Sequence, residues 1–240
     1  MKSRLDQALT KSGLVVSRSQ AESYIKLGQV TVNGKVVIKP GFLVSVDDDV
    51  RLTAAEQYVS RAGLKLASVA DVLELDFRGK VMLDVGSSTG GFTDYALRHG
   101  AMKVFAVEVG TNQLHPSLRG DTRIELHEKT DIRDFAPGEP VDIVVMDVSF
   151  VSLREILPHI ARIVTPAAKV VAMVKPQFEA GESSFKHKGV VKNDAMRRQI
   201  LQDFEVWAKK LFVIAAKADS SVAGAKGNRE RFYLLRKVSV

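Results

Sequence analysis

The sequence predicts an α/β protein, with a mostly parallel, doubly wound sheet over residues 58–240 and a small α+β module over residues 1–57. Three observations carry this expectation. From Lys80 onward, apolar runs of the kind found in fully buried strands alternate with amphipathic helical patterns, the pattern of successive β-α units. A glycine-rich turn leaves the first of those runs and enters a helical pattern. The first 46 residues instead hold two short helical patterns and an Asn33-Gly34 hairpin signal. A chain of 240 residues has room for one ordinary doubly wound domain and one small appendage.

Ser3 can cap a first helix with Leu5, Ala8 and Leu9 on one face and Gly13 as its stop; Ser17 can cap a second with Ala21, Tyr24 and Ile25 inward and Gly28 as its stop. Val30 and Val32 alternate with polar residues up to the hairpin, and Val36 and Ile38 continue beyond it. Pro40-Gly41 then turns into a strand from Phe42 to Val46. Asp47, Asp48 and Asp49 read as a strand-end turn, since nothing nearby completes the oxygen cage of a metal site. The boundary falls near residues 54 to 59, and Leu64, Leu66, Ala67, Ala70 and Leu73 then suit a helix packed on the larger domain. Strands follow at VMLDVG, KVFAVEVG, VDIVVMDV and KVVAMVK, with helices around FTDYALRHG and SLREILPHIARIV. Asn193 or Asp194 caps a helix with Met196, Ile200, Phe204 and Trp207 inward, and strands around LFVIAA and RFYLLRKV close the chain.

Composition narrows the classes of function. No run approaches the roughly 20 apolar residues of a spanning helix, and the basic N-terminus lacks a secretory core, so a soluble cytoplasmic protein is expected. Cysteine is absent, which removes disulfides, zinc-thiolate sites and cysteine nucleophiles. The formal net charge of +7 points towards a polyanionic partner, because basic surface gains affinity by releasing counterions condensed on phosphates. That charge is gathered at the front: residues 1–46 hold seven Lys or Arg against only Asp6 and Glu22.

Asp84-Val85-Gly86-Ser87-Ser88-Thr89-Gly90-Gly91 leaves a strand for a helix, so a ligand can approach its backbone closely. Ser88 stands where a dinucleotide site needs a second glycine to admit pyrophosphate, which argues against a nicotinamide or flavin dinucleotide. Glu108, at the end of the second strand, suits ribose hydroxyls and hence an adenosine-containing ligand without phosphates. Asp131 and Asp147 follow later apolar stretches along the same edge; Asp131 serves equally well as a helix cap. Lys175 ends another strand beside the one that ends in Asp147, Lys65 opens the helix before the first strand, and Glu230 begins the last. A desolvated lysine beside a second cation loses its proton more readily, so a Lys-Asp-Lys group can orient or accept a hydroxyl proton; on spacing alone, an ordinary strand-end lysine is the commoner reading of Lys175.

Three resemblances complete this picture. RLDQAL, SRSQAESYIKLGQVTVNG and the PG turn resemble the S-four-like RNA-binding domain, and the resemblance implies RNA contacts at Arg4, Arg18, Ser19, Gln20 and Lys26. The glycine turn and the ordered acids resemble the class I Rossmann-like S-adenosyl-L-methionine-dependent methyltransferases. That likeness implies cofactor contacts at Asp84, Gly86, Ser87, Ser88, Thr89, Gly90, Gly91, Phe92, Glu108, Asp131 and Asp147, with Asp84 near the cofactor's amino group or supporting the turn. SRAGLKL, DVSFVSL, VKPQFEAG and GAKGNRE are similar to the TlyA (hemolysin A-like) group of FtsJ-like ribose methyltransferases over essentially the whole chain. This implies a catalytic tetrad of Lys65, Asp147, Lys175 and Glu230, S-adenosyl-L-methionine as cofactor, no metal, and ribosomal RNA or ribosomal subunits as partner, with 2′-O-methylcytidine as product. Ala62 and Ala225 depart from the group's usual glycine and proline, and Glu108 from its usual aspartate.

Lys186 and Lys188, in a basic loop after the strand that ends at Lys175, suit RNA better than they suit a merely solvated loop. Two other functions stay in view. One is an RNA-binding or ribosome-assembly protein whose methyltransferase fold binds cofactor without turnover, against which the intact tetrad speaks. The other is a hemolysin, which the absence of a spanning helix, a long basic amphipathic helix or a barrel pattern disfavours.

Overall fold

The computed structural model describes residues 2–54, 57–180, 191, 193–224 and 227–238. Lys186, Lys188 and Ala225 lie outside the described residues. The chain divides into two compact units, Met1–Arg61 and Ala62–Val240.

The first unit runs β1 (Ser3–Arg4), α1 (Leu5–Lys11), α2 (Arg18–Lys26), β2 (Val30–Val32), β3 (Lys35–Val36), β4 (Leu43–Val44) and β5 (Val50–Leu52). Leu5, Leu9, Tyr24, Ile25 and Val30 are fully buried and form its core. Ser17 accepts a hydrogen bond from the Gln20 amide at the start of α2, as its sequence position predicts. Asn33 and Gly34 both take positive φ, 50° and 75°, the backbone that a two-residue hairpin requires. Ser3 corrects the sequence expectation: it caps no helix, but pairs with Val44 across β1 and β4. The strand expected over 42–46 shrinks to Leu43–Val44, and β5, which pairs antiparallel with β2, was not foreseen. β5 follows three aspartates and has Arg51 at its centre, so it shows no apolar run. Asp48 folds the turn before it, accepting from the Ser45 amide at 2.7 Å and the Asn33 amide group at 2.8 Å.

The second unit runs α3 (Arg61–Ala70), β6 (Val81–Val85), α4 (Gly91–Arg98), β7 (Lys103–Val107), β8 (Ile124–His127), β9 (Ile143–Met146), α5 (Leu153–Ile163), β10 (Lys169–Val174), α6 (Pro176–Glu179), α7 (Asp194–Ala208), β11 (Phe212–Asp219) and β12 (Arg231–Lys237). Seven strands form one sheet in the order β11-β12-β10-β9-β6-β7-β8. The five strands from β10 to β8 are parallel, and β12 pairs antiparallel with both β10 and β11. The sheet is therefore doubly wound and mostly parallel, as the alternating apolar runs predict. β8 is an edge strand with Glu125 and His127 among its four residues, which explains why no apolar run announced it. α3 begins at Arg61, so Lys65 lies one turn inside the helix rather than at its opening.

The chain builds β6, β7 and β8 outward in one direction, then returns to place β9 and β10 on the other side of β6. This reversal leaves a crevice at the carboxyl end of β6, the position at which open α/β sheets bind ligands. The turn from β6, the end of β7 and the loop after β9 all meet there.

Candidate active site

A cleft of about 590 Å³ opens at this reversal point, with Gly86, Ser88, Glu108, Gly110, Gln113, Asp131 and Asp147 in its wall beside apolar groups from Val85, Val107, Ile132, Val148 and Ile156. The turn after β6 is pinned from beneath, since the amides of Gly86 and Ser87 both donate to the Val107 carbonyl. Gly86 takes φ 77°, and a Cβ there would come within 3.2 Å of the Asp147 carbonyl oxygen, so only glycine lets the turn lie this close to the end of β9. Glu108 is buried and its two carboxylate oxygens accept from the amides of Ser88, at 2.9 Å, and Gly110, at 2.8 Å. The carboxylate ties the ends of two strands together and places negative charge in the cleft. That charge repels a pyrophosphate and leaves acceptor capacity for hydroxyl donors.

Asp131 lies in the wall and also caps the short 3₁₀ turn that follows, accepting from the Arg133 amide at 2.9 Å. The Arg133 guanidinium, 2.7 Å away, holds its carboxyl below the usual range. Both sequence-level roles of Asp131 are thus compatible with its position.

Six expected cofactor residues are not among those that line the cleft. Asp84 is buried beneath the turn and accepts from the Thr93 hydroxyl at 2.7 Å, so it supports the turn rather than facing the cleft. Burial pushes its carboxyl up to about 7. Ser87 is buried, and the Thr89 carbonyl accepts from the His115 amide. Gly90 faces the side chains of Leu114 and Leu118, and Gly91 begins α4. Phe92 packs into the core, 6.1 Å from Phe232 between ring centres.

The four expected catalytic residues meet at the same sheet edge as two ion pairs. Lys175 Nζ lies 2.6 Å from Asp147 Oδ1 and donates to Ser149 Oγ at 2.7 Å. Lys65 Nζ lies 2.6 Å from Glu230 Oε2. Val174 is the register partner of Arg231, so Lys175 and Glu230 are the next residues along adjacent chains. The Lys-Asp-Lys group expected from spacing is corrected accordingly: Asp147 holds Lys175, and Glu230 holds Lys65. All three of Lys65, Lys175 and Glu230 are buried, and charges so placed persist only when paired. Gly224 makes room for this, since a Cβ there would strike the Glu230 carboxylate.

Two residues at this edge escaped the sequence reasoning. Phe150, three residues beyond Asp147, is 93% exposed at φ 67° and lines the cleft. Its ring lies 5.3 Å from that of Phe178, which follows Lys175. A bulky side chain in left-handed backbone is strained, and such strain collects at functional sites. Ser149 is the other, and its only sequence signal was its place in DVSFVSL.

In the first unit, Asp6 is completely buried and accepts from both Arg4, at 2.8 Å, and Arg18, at 2.9 Å, so one carboxylate gathers two guanidinium groups. Ser19 and Lys26 are exposed. Gln20 is corrected: it is 2% exposed, and its amide group accepts from the Val16 amide and donates to the Tyr58 carbonyl at 2.6 Å. It is an internal strut, not an RNA contact.

A sheet of this order, with a glycine turn, an acid ending the second strand and lysine–carboxylate pairs at the same edge, defines a class I methyltransferase fold. The chain belongs to the FtsJ-like methyltransferase family, whose model matches residues 58–237, and an S4 domain matches residues 3–50. It is 39% identical over 238 residues to YqxC of Bacillus subtilis, named as an rRNA methyltransferase, covering 95% of this chain and 84% of that one. It is 37% identical over 244 residues to the 16S/23S rRNA (cytidine-2′-O)-methyltransferase TlyA of Mycobacterium tuberculosis, covering 98% and 90%. A hemolysin-type protein from Streptococcus thermophilus has a similar structure, with a TM-score of 0.73 at 36% identity, covering 99% of this chain and 89% of that one. Among the described residues, no helix is long and apolar enough to cross a membrane.

Proposed function

We propose that this chain is a cytoplasmic S-adenosyl-L-methionine-dependent methyltransferase that modifies the ribose 2′-hydroxyl of cytidine in ribosomal RNA. The observation that carries this reading is the pair of buried lysine–carboxylate contacts beside a cleft whose buried Glu108 suits ribose hydroxyls and repels phosphates.

Gly86 and Ser88 would pass the methionine part of the cofactor, Glu108 would accept from its ribose hydroxyls, and Asp131 with the apolar wall would hold its adenine. When bound, the cofactor supplies a methyl group already activated by a sulfonium. The chain's own residues then have two tasks, alignment and proton management. Lys175 is held from two sides, by Asp147 and Ser149, and points its amine at the edge where the ribose hydroxyl must lie. In its amine form it accepts the hydroxyl proton. Lys65 and Glu230 complete the edge from α3 and from the start of β12. Exposed Phe150 offers a face on which an unstacked target base can lie, since bases that leave their helix stack on aromatic side chains.

The N-terminal unit supplies affinity for the RNA backbone through Arg4, Arg18, Ser19 and Lys26, and Lys186 and Lys188 are proposed to add to it. A methyl-transfer assay with ribosomal subunits and free ribosomal RNA tests this reading. Wild type should label RNA at an alkali-resistant linkage, and Lys175→Ala should lose at least about a hundredfold in kcat. Absence of transfer by wild type would leave an RNA-binding protein with a silent methyltransferase fold.

A further inference from the structure

The loop after β9 carries Asp147, Ser149 and Phe150, and the turn after β10 carries Lys175 and Phe178. The two segments touch through the Asp147–Lys175 ion pair and the Phe150–Phe178 rings. A third tie lies behind these. Glu179 ends α6 with its side chain only 1% exposed; Oε2 accepts from Ser152 Oγ and Oε1 from the Leu153 amide, both at 2.7 Å. Ser152 and Leu153 are the cap and first residue of α5, so a carboxylate from one loop closes the helix that ends the other. Arg154 Nε lies 3.6 Å from the same carboxylate. Burial pushes the Glu179 carboxyl above its usual range, which makes the site costly to keep unless its bonds are used.

Between the anchored ends lies Phe150 in left-handed backbone. The near end is held by the Asp147 amide on the Val85 carbonyl, and the far end by Glu179. A bulky residue stays at positive φ only when its surroundings over-determine it.

We propose that Glu179 is a positioning residue for methyl transfer, which locks the Asp147–Val151 loop against the Lys175–Phe178 turn and so sets where Lys175 and Phe150 meet the nucleotide. The proposal rests on the methyl-transfer reading. Glu179 is absent from the cleft wall, so it acts through those residues.

The test compares wild type, Glu179→Ala and Glu179→Gln in the ribosomal methyl-transfer assay, with S-adenosyl-L-methionine affinity by calorimetry and amide hydrogen exchange without RNA. Glu179→Ala should lower kcat by about tenfold or more, because small misplacements of reacting groups are costly. Its cofactor affinity should stay within about threefold of wild type, as Glu108 and Asp131 stand on other elements. Exchange should quicken across residues 148–153 and not in the sheet. Glu179→Gln keeps an acceptor for the Leu153 amide and gains a donor for Ser152, so it should recover most of the rate. If Glu179→Ala does not fold, Ser152→Ala removes one of the two bonds and should still give a measurable fall in kcat. Wild-type kcat in Glu179→Ala, equal damage in Glu179→Gln, or unchanged exchange at 148–153 overturns the proposal. Wild type that transfers no methyl group overturns the parent reading instead, and the exchange data still decide whether Glu179 holds the loop.

Discussion

At the scale of single residues, the site depends on carboxylates that differ in what surrounds them. Glu108 is buried yet met by two backbone amides, Asp147 is met by Lys175, and Asp84 is the most deeply buried of the three, with Thr93 as its hydrogen-bonding partner. Asp84 therefore keeps its proton to about pH 7 in the folded chain, against 3.8 ordinarily. Between those values the folded state binds more protons than the unfolded state, so this group's contribution to stability falls as pH rises and levels off above about 7. Asp84→Asn retains an acceptor for Thr93 and removes the titration. Its melting temperature relative to wild type should climb across that window and then stay constant. A difference independent of pH, in thermal melts from pH 4 to 8, would mean that Asp84 titrates as an ordinary carboxyl. Asp84 also shows what one residue type conceals: its place in the glycine motif is plain in the sequence, but whether it faces ligand or core depends on the hydroxyl nine residues later.

At the scale of elements, the junction of β6 and α4 is where packing and ligand binding compete for the same glycines. Gly86 admits the close approach of the β9 end, whereas Gly90, at φ 86°, admits Leu114 and Leu118, whose Cδ1 atoms would lie 2.6 Å from an added Cβ. Gly90→Ala combines backbone strain with overpacking and should cost about 1–3 kcal/mol. A lowered urea midpoint with an unchanged slope would register that cost, and an unchanged midpoint would show that the two leucines swing aside and that α4 tolerates the strain. Spacing could not separate these glycines, because a ligand and a leucine side chain make the same demand on a backbone with no Cβ. The short elements were lost for a related reason: β5 and β8 have too few apolar positions to show a period, and they form because a neighbouring strand offers its free edge.

At the scale of the whole molecule, the net charge of +7 and the basic first unit imply RNA binding that weakens steeply with salt. Arg18 and Lys26 are exposed, so Arg18→Ala and Lys26→Ala should each flatten the plot of log affinity against log salt by about 0.7 to 0.9, the contribution of one phosphate contact. Gln20→Ala should leave that slope unaltered and lower the stability of the first unit, because Gln20 is an internal strut. Binding of ribosomal RNA over a series of potassium chloride concentrations checks all three; a slope change in Gln20→Ala alone would return it to the contact surface.

The sequence by itself determined the doubly wound sheet, the basic module before it, the glycine turn and the four catalytic candidates, because each leaves a local mark: an apolar run, a cap, a hairpin dipeptide, a motif. The tertiary structure alone decided who pairs with whom. Glu230 reaches Lys65 across most of the chain, Glu179 closes a helix that begins 26 residues earlier, and Gln20 turns inward to Tyr58. Each of these depends on distances between elements that are far apart in sequence. Such distances are set by how strands order themselves in a sheet and how buried charges find partners, and no local pattern records either.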